Sequence, residues 1–126
     1  MAADEAGALQ RPHQGSADVE IHTAQTATIK LRGECDISTA PQVADALART
    51  RHANTIVDLS DCEFIDSTIV GVLISAQRDA DARRGQLAVV LPPTANAVVN
   101  RVFDMLRLRD VFCVHASAEA TQTSPR

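Results

Sequence analysis

Segments of period two alternate with segments of period near 3.6 along most of this chain, and that alternation limits the fold more than any other feature. Val19 and Ile21 alternate with Glu20 and His22, and Ala27, Ile29 and Leu31 alternate with Thr28, Lys30 and Arg32. Successive strand side chains point to opposite faces, so both runs predict strands with one buried face. The short link between them predicts a hairpin. Ser38 is a candidate helix N-cap, Pro41 suits a first helical turn, and Val43, Ala46 and Leu47 fall at helical spacing. Ile56-Val57-Asp58-Leu59 has the character of a buried strand. A helix is predicted from about Ser67 to Arg84, with Val70, Leu73, Ala76, Gln77 and Ala80 as its inner stripe and Gly85 as its stop. Leu87 to Leu91 predicts another strand, ended by Pro92-Pro93. A helix starting near Thr94 or Asn96 carries Val98, Val99, Val102, Phe103 and Leu106, and Val111 to Val114 predicts the last strand.

Strands that alternate with helices imply right-handed crossovers and a largely parallel sheet. The expected fold is therefore α/β: one domain with a mixed, mostly parallel sheet of about five strands and helices packed on it. Val57, Leu59, Leu73, Val89 and Val102 are expected in its core. A length of 126 residues suits one domain and not two. Residues 1–17 lack periodicity and are expected to form a mobile tail. The domain is expected from 18 to about 120, with 121–126 as a C-terminal tail. A last helical turn is expected from about 118 before the chain frays.

Aromatic residues make up only 2% of the chain, so the core must come from aliphatic side chains. The 12 basic residues are outnumbered by 16 acidic ones, which argues against nucleic acid as a partner. No apolar run approaches the roughly 20 residues of a membrane span. Nor does the N-terminus show a basic start followed by an apolar run, so a cytoplasmic location is expected. His13, His22, His52 and His115 are dispersed without metal-ligand spacing, and the five glycines form no phosphate-binding loop. No Gly-x-Ser-x-Gly elbow is present. These absences predict a binding module without cofactor or metal, not an enzyme.

Asp66, Ser67 and Thr68 stand where a helix should start, so capping of free N–H groups is the simplest reading of them. Asp36 is either a loop acid ahead of Ser38 or a partner contact on the same rim as Ser67, since both follow the C-terminal ends of strands. Ile69, Val72 and Ile74 are apolar residues that the inner stripe does not need. Any left exposed would suit protein binding. Cys35, Cys62 and Cys113 are either reduced core residues or, for Cys35 and Cys62 at strand ends, a redox-sensitive pair.

The run Thr55-Ile56-Val57-Asp58-Leu59-Ser60-Asp61-Cys62-Glu63-Phe64-Ile65-Asp66-Ser67-Thr68 resembles the central motif of the STAS domain, the family of bacterial anti-sigma factor antagonists. That motif is an apolar strand ending in Asp-Leu, an apolar pair, then Asp-Ser-Ser/Thr-Gly-Leu-Gly opening a helix. Here the last part is Asp66-Ser67-Thr68-Ile69-Val70-Gly71. Upstream, Gly33-Glu34-Cys35-Asp36 is similar to the family's Gly-Glu-Leu-Asp. The resemblance covers about residues 18–120. It implies a partner, an anti-sigma factor that is often itself a serine kinase, whose capture frees a sigma factor. It implies phosphorylation at Ser67, after which binding is lost. The partner contacts expected on this basis are Asp36, Asp66, Ser67, Thr68, Ile69 and Val72. Ile69 replaces the family's Gly. It is expected either to bury itself in the sheet–helix seam or to project into the docking surface. If it projects, Ser67 should be a poor kinase substrate, and Ile69→Gly should speed its modification. Two other functions stand beside this one: a STAS scaffold subunit of another assembly, and a small hydrolase or nucleotide-binding protein.

Overall fold

The computed structural model describes residues 14–51 and 53–117. Among them the order is β1 (Ser16–Ile21), β2 (Thr26–Cys35), α1 (Ala40–Arg49), β3 (Asn54–Asp58), β4 (Cys62–Ile65), α2 (Ser67–Ala82), β5 (Leu87–Val90), α3 (Ala97–Met105), a 3-10 turn (Leu108–Asp110) and β6 (Cys113–His115). The sheet runs β1-β2-β3-β5-β6, with β4 paired to β2. β1 and β2 form the expected antiparallel hairpin, and every other pairing is parallel. The sheet is thus mixed and mostly parallel, with six strands instead of about five.

The additional strand is β4. Ten-residue β2 is long enough to serve two neighbours: Thr26 to Lys30 pair with β3, and Gly33 to Cys35 pair with β4. The ladder slips between Gly33 and Glu34, where Gly33 takes a φ of 72°, a left-handed conformation that glycine adopts without a Cβ clash. An Asp-x-Ser turn separates β3 from β4. Asp58 Oδ1 accepts from Ser60 N at 2.9 Å and from Ser60 Oγ at 2.6 Å.

One ladder row explains the core. Val19, Ile29, Val57, Val89 and Val114 lie opposite one another across five strands. Ile29, Val57 and Val89 are fully buried. α1 packs against β1, β2 and α2, while α2 also meets β4 and β5. α3 packs against β4, burying Val99 and Phe103, and the Phe103 ring lies 6.1 Å from that of Phe112. Val57, Leu59, Leu73 and Val89 are buried as expected, but Val102 is only half-buried. Leu73→Ala is expected to destabilise the domain by about 2–5 kcal/mol. Urea unfolding of the two proteins measures it, and a difference below about 1 kcal/mol would contradict a core role.

Several boundaries differ from the sequence expectation. β1 takes in Ser16 and Ala17, which the missing periodicity had assigned to the tail. Ser38 does not cap α1; Thr39 precedes the helix without a side-chain cap bond, and Ser38 instead donates to Asp36. α2 ends at Ala82. There the left-handed residue is Arg84, with a φ of 58°, and Gly85 N donates to Ala80 O at 2.7 Å to close the helix end. The buried stripe of α2 is Ile69, Val70, Leu73 and Ala80, with Ala76 and Gln77 half-buried. β6 starts at Cys113 and not at Val111, because Val111 and Phe112 finish the 3-10 turn, Val111 exposed and Phe112 buried. Leu106 is exposed too, and Leu108 fills the core instead. Residues 1–13 of the expected N-terminal tail, the helical turn from 118 and the C-terminal tail lie outside the described residues.

Candidate functional site

β2 and β4 are parallel neighbours that end together, with Cys35 opposite Ile65. The segments that leave them therefore emerge side by side. One is the loop of residues 36–39; the other is the start of α2 at residues 66–68. Each is shaped by an aspartate. Asp36 Oδ1 accepts from Ser38 N at 3.0 Å and from Ser38 Oγ at 2.6 Å, the same turn that Asp58 makes with Ser60. The Asp36 carbonyl accepts from Thr39 N and Ala40 N. Its carboxylate is thus engaged in shaping the loop that leads into α1.

Asp66 joins the two segments. Its backbone is extended, and Oδ1 accepts from Ile69 N at 3.0 Å, an N-cap bond that satisfies one free donor of α2. Oδ2 accepts from Ile37 N, also at 3.0 Å. One carboxylate therefore fixes both the helix start and the loop across from it. Ser67 follows as the first residue of α2 and is exposed, and Thr68 is half-buried. The positive end of the helix dipole lies at the Ser67 hydroxyl.

Asp66→Asn tests the tie. The amide oxygen can keep the cap, but the amide nitrogen cannot accept from Ile37 N. The expected loss is about 1 kcal/mol, with faster amide exchange at Ile37 and unchanged exchange at Ile69. Equal exchange at Ile37 in both proteins would remove the tie from the account.

Ile69 is a correction to the expected partner contacts. Its side chain is 0% exposed and belongs to the core beneath α2. The seam alternative holds, so Ile69 neither offers an apolar anchor to a partner nor obstructs approach to Ser67. Val72 is half-buried and lines a groove of about 320 Å³ between α1 and α2 with Ala44, Leu47, Ala48, Ser75 and Ala76. An ion pair closes that groove. Arg51 grips Asp79 with Nη2–Oδ1 at 2.8 Å and Nε–Oδ2 at 2.9 Å, and Arg83 Nε joins at 3.1 Å. The Arg51 bonds come first among the causes that hold the Asp79 carboxyl below its ordinary range.

Two apolar residues at the rim carry no sequence signal. Ile37 is 70% exposed and Phe64 is 38% exposed. Ile37 lies in a turn, where no periodicity sorts inside from outside. Phe64 lies in a strand whose pairing is irregular, so alternation does not place it either.

The cysteines separate into two environments. Cys35 and Cys62 are buried, and their thiols donate to backbone carbonyls, Cys35 Sγ to Arg32 O at 3.5 Å and Cys62 Sγ to Phe64 O at 3.4 Å. Interaction with Cys35, together with burial, pushes the Cys62 thiol above its ordinary range. Cys113 is elsewhere, half-buried on β6 with its Sγ 3.2 Å from His115 Nε2. Among the described residues no three His, Cys, Asp or Glu side chains gather as a metal-binding set. Nor is any described helix long and apolar enough to cross a membrane.

Residues 19–113 match the family model described as Mlab, STAS domain. The chain belongs to the STAS domain family. Solved structures agree on the fold of this STAS domain. An anti-sigma factor antagonist from Mycobacterium paratuberculosis superposes with a TM-score of 0.73 at 20% identity, covering 92% of this chain and 97% of that one. The unphosphorylated form of the anti-sigma factor antagonist SpoIIAA gives 0.66 at 20% identity, covering 86% and 94%. The phosphorylated form of SpoIIAA, a Bacillus cell fate determinant, gives 0.67 at 21% identity, covering 87% and 100%. A comparison with curated proteins returned no match. In this STAS domain, the rim that carries Asp36, Ile37, Phe64, Asp66 and Ser67 lies where β2 and β4 end.

Proposed function

We propose that this STAS domain is an anti-sigma factor antagonist: its rim captures an anti-sigma factor, and the capture frees a sigma factor. The observation that carries the reading is Ser67, exposed at the first position of α2 and set beside the loop of residues 36–39 by the two bonds of Asp66. Ser67 is the phosphorylation site in this reading, and the captured partner is a serine kinase that modifies it. A phosphate there adds about −1.5 to −2 charges at a helix N-terminus, which favours anions, so the fold should tolerate it. Switching then occurs at the docking surface, by clash and by like-charge repulsion beside Asp61, Glu63 and Asp66. Asp36, Thr68, Ile37 and Phe64 complete the contact surface.

The full chain, immobilised, should retain an anti-sigma factor from an extract of its native cell, identified by mass spectrometry. Calorimetry with that protein, purified, should then give saturable binding to the wild type and to Ser67→Ala alike. A purified anti-sigma factor that gives no heat with either would overturn the reading.

A second reading has its own support. Ile69 in place of the family's Gly departs from the switch motif, and the matched family model carries the Mlab description. A STAS scaffold subunit of another assembly would co-purify with a larger complex whatever the state of Ser67.

A further inference from the structure

α3 carries more apolar surface than the strands beneath it cover. Val99 and Phe103 are its buried residues. Val98, Val102 and Met105, with Leu106 at the C-cap, fall beside them on an arc of about 100°. Val102 is half-buried and Val98 exposed, while Met105 is 68% and Leu106 52% exposed. Val111, after the 3-10 turn that packs against α3, is exposed as well. A single exposed apolar residue is ordinary, but a contiguous stripe marks an interaction surface. The solvent side of this stripe is bordered by charge. Arg101 is exposed and makes no ion pair with another described residue. Asp104, about one turn on, holds Arg109 Nε through Oδ1 at 3.0 Å.

We propose that this stripe is a homodimer interface, in which α3 of one copy crosses α3 of a second copy, antiparallel, about a two-fold axis at Val102. The stripe matches its own reverse. Val98, Val102 and Leu106 form a row at a spacing of four. Rows of that spacing interdigitate when two helices cross at about −50°. Val102 is the middle of the row, so reversal about it sets Val98 of each copy against Leu106 of the other. The two Val102 side chains meet at the crossing point, where their small size lets the helices approach closely. Met105, flexible and unbranched, fills the gap beside them.

The charged border favours a second copy as the occupant. An isologous interface presents the same surface twice, so each contact between two different residues is made twice. Reversal about Val102 brings Arg101 of each copy to within one residue's rise, about 1.5 Å, of level with Asp104 of the other. Arg101 thereby gains a carboxylate, and two symmetric ion pairs flank the apolar row on its solvent side. Exposed ion pairs contribute little affinity, so the row supplies the attraction and the charges fix its direction. Size sets the strength. Four partly covered side chains and their charged border offer less than the roughly 800 Å² per partner of a standard interface. The dimer is therefore expected to be weak, with a Kd of about 10–100 μM.

Sedimentation equilibrium of the full chain from about 1 μM to about 1 mM should show monomer passing to dimer and no larger species. Leu106→Asp and Met105→Asp lie at exposed positions and enter the symmetric contact twice. Each should weaken the dimer about tenfold or more and leave the melting temperature of the dilute monomer unchanged. The charges are tested by exchange. Arg101→Asp and Asp104→Arg should each weaken self-association. Mixing the two variants should restore it as a heterodimer, because both ion pairs then re-form, one with its charges reversed. A chain that stays monomeric at about 1 mM would overturn the proposal. Methyl NMR signals of the stripe that move in that monomer on adding phosphatidylglycerol vesicles would assign the stripe to lipid instead. A dimer untouched by both Leu106→Asp and Met105→Asp would place its contact elsewhere and overturn the stripe as the interface. A mixture that associates no more tightly than its parts would overturn the antiparallel crossing.

Discussion

Ser67→Asp is expected to weaken binding of the anti-sigma factor at least about tenfold, and a phosphate on the same hydroxyl by up to about a thousandfold, about 4 kcal/mol. The order follows from charge. Aspartate adds one negative charge, and phosphoserine adds about −1.5 to −2 with three acceptor oxygens. Ser67 is exposed, and Asp66 already holds a carboxylate one residue away. A partner seated on the rim must desolvate the added charge beside that carboxylate. The free domain bears no such penalty. An acid at the first helical position gains about 0.3–1 kcal/mol from the helix dipole, so the melting temperature should hold or rise. Ser67→Ala removes a hydroxyl and adds no charge, so its affinity should stay near that of the wild type. Calorimetry on the three variants and on the phosphorylated form separates these outcomes. Equal affinities for the wild type, Ser67→Asp and the phosphoserine protein would remove Ser67 from regulation. A fall in melting temperature that tracks the loss of binding would instead assign the effect to damage of α2.

The fold class was legible because it depends on periods that survive local irregularity. Val19, Ile29, Val57 and Val89 stand two apart from their apolar neighbours or in unbroken apolar runs, and the ladder aligns them in one row. β4 was not legible from period. It is four residues long, pairs only with the end of β2, and buries Cys62 and Ile65, three apart, so it shows no alternation. A local signal did exist. Asp36-Ile37-Ser38 and Asp58-Leu59-Ser60 share the spacing of the Asp-x-Ser turn, and both make it. The second marks the end of β3, so a strand after it was there to be found. The site divides in the same way. Asp66 as a helix cap is a matter of residue type and position, and the cap is formed. Its second bond, to Ile37 N, joins residues 29 apart in sequence, and nothing local encodes it. Boundary errors came from caps. Thr39, not Ser38, precedes α1, because the Ser38 hydroxyl is already committed to Asp36.

Ile69→Gly is expected to destabilise the domain by about 3–6 kcal/mol. Deleting a buried aliphatic side chain of this size contributes about 2–5 kcal/mol through lost transfer energy and the cavity left behind. Glycine in place of an ordinary residue in a helix adds up to about 1 kcal/mol. The site offers little relief by collapse, since Leu73 and Val70 of the same helix and Ile65 and Cys62 of β4 are themselves fixed in the core. Burial also settles how this position bears on Ser67. A β-branched residue that projected from α2 would hinder a kinase, and its removal would speed phosphorylation. A side chain with no exposed surface hinders nothing outside. The glycine variant should therefore be modified no faster than the wild type while it remains folded. At temperatures where it unfolds, any faster modification should extend to other hydroxyls and not only to Ser67. Urea titration gives the stability difference, and a phosphorylation time course with site mapping, run below the variant's melting temperature, gives the rate. A variant as stable as the wild type would contradict the burial of Ile69. Selective acceleration at Ser67 in folded protein would return Ile69 to the docking surface.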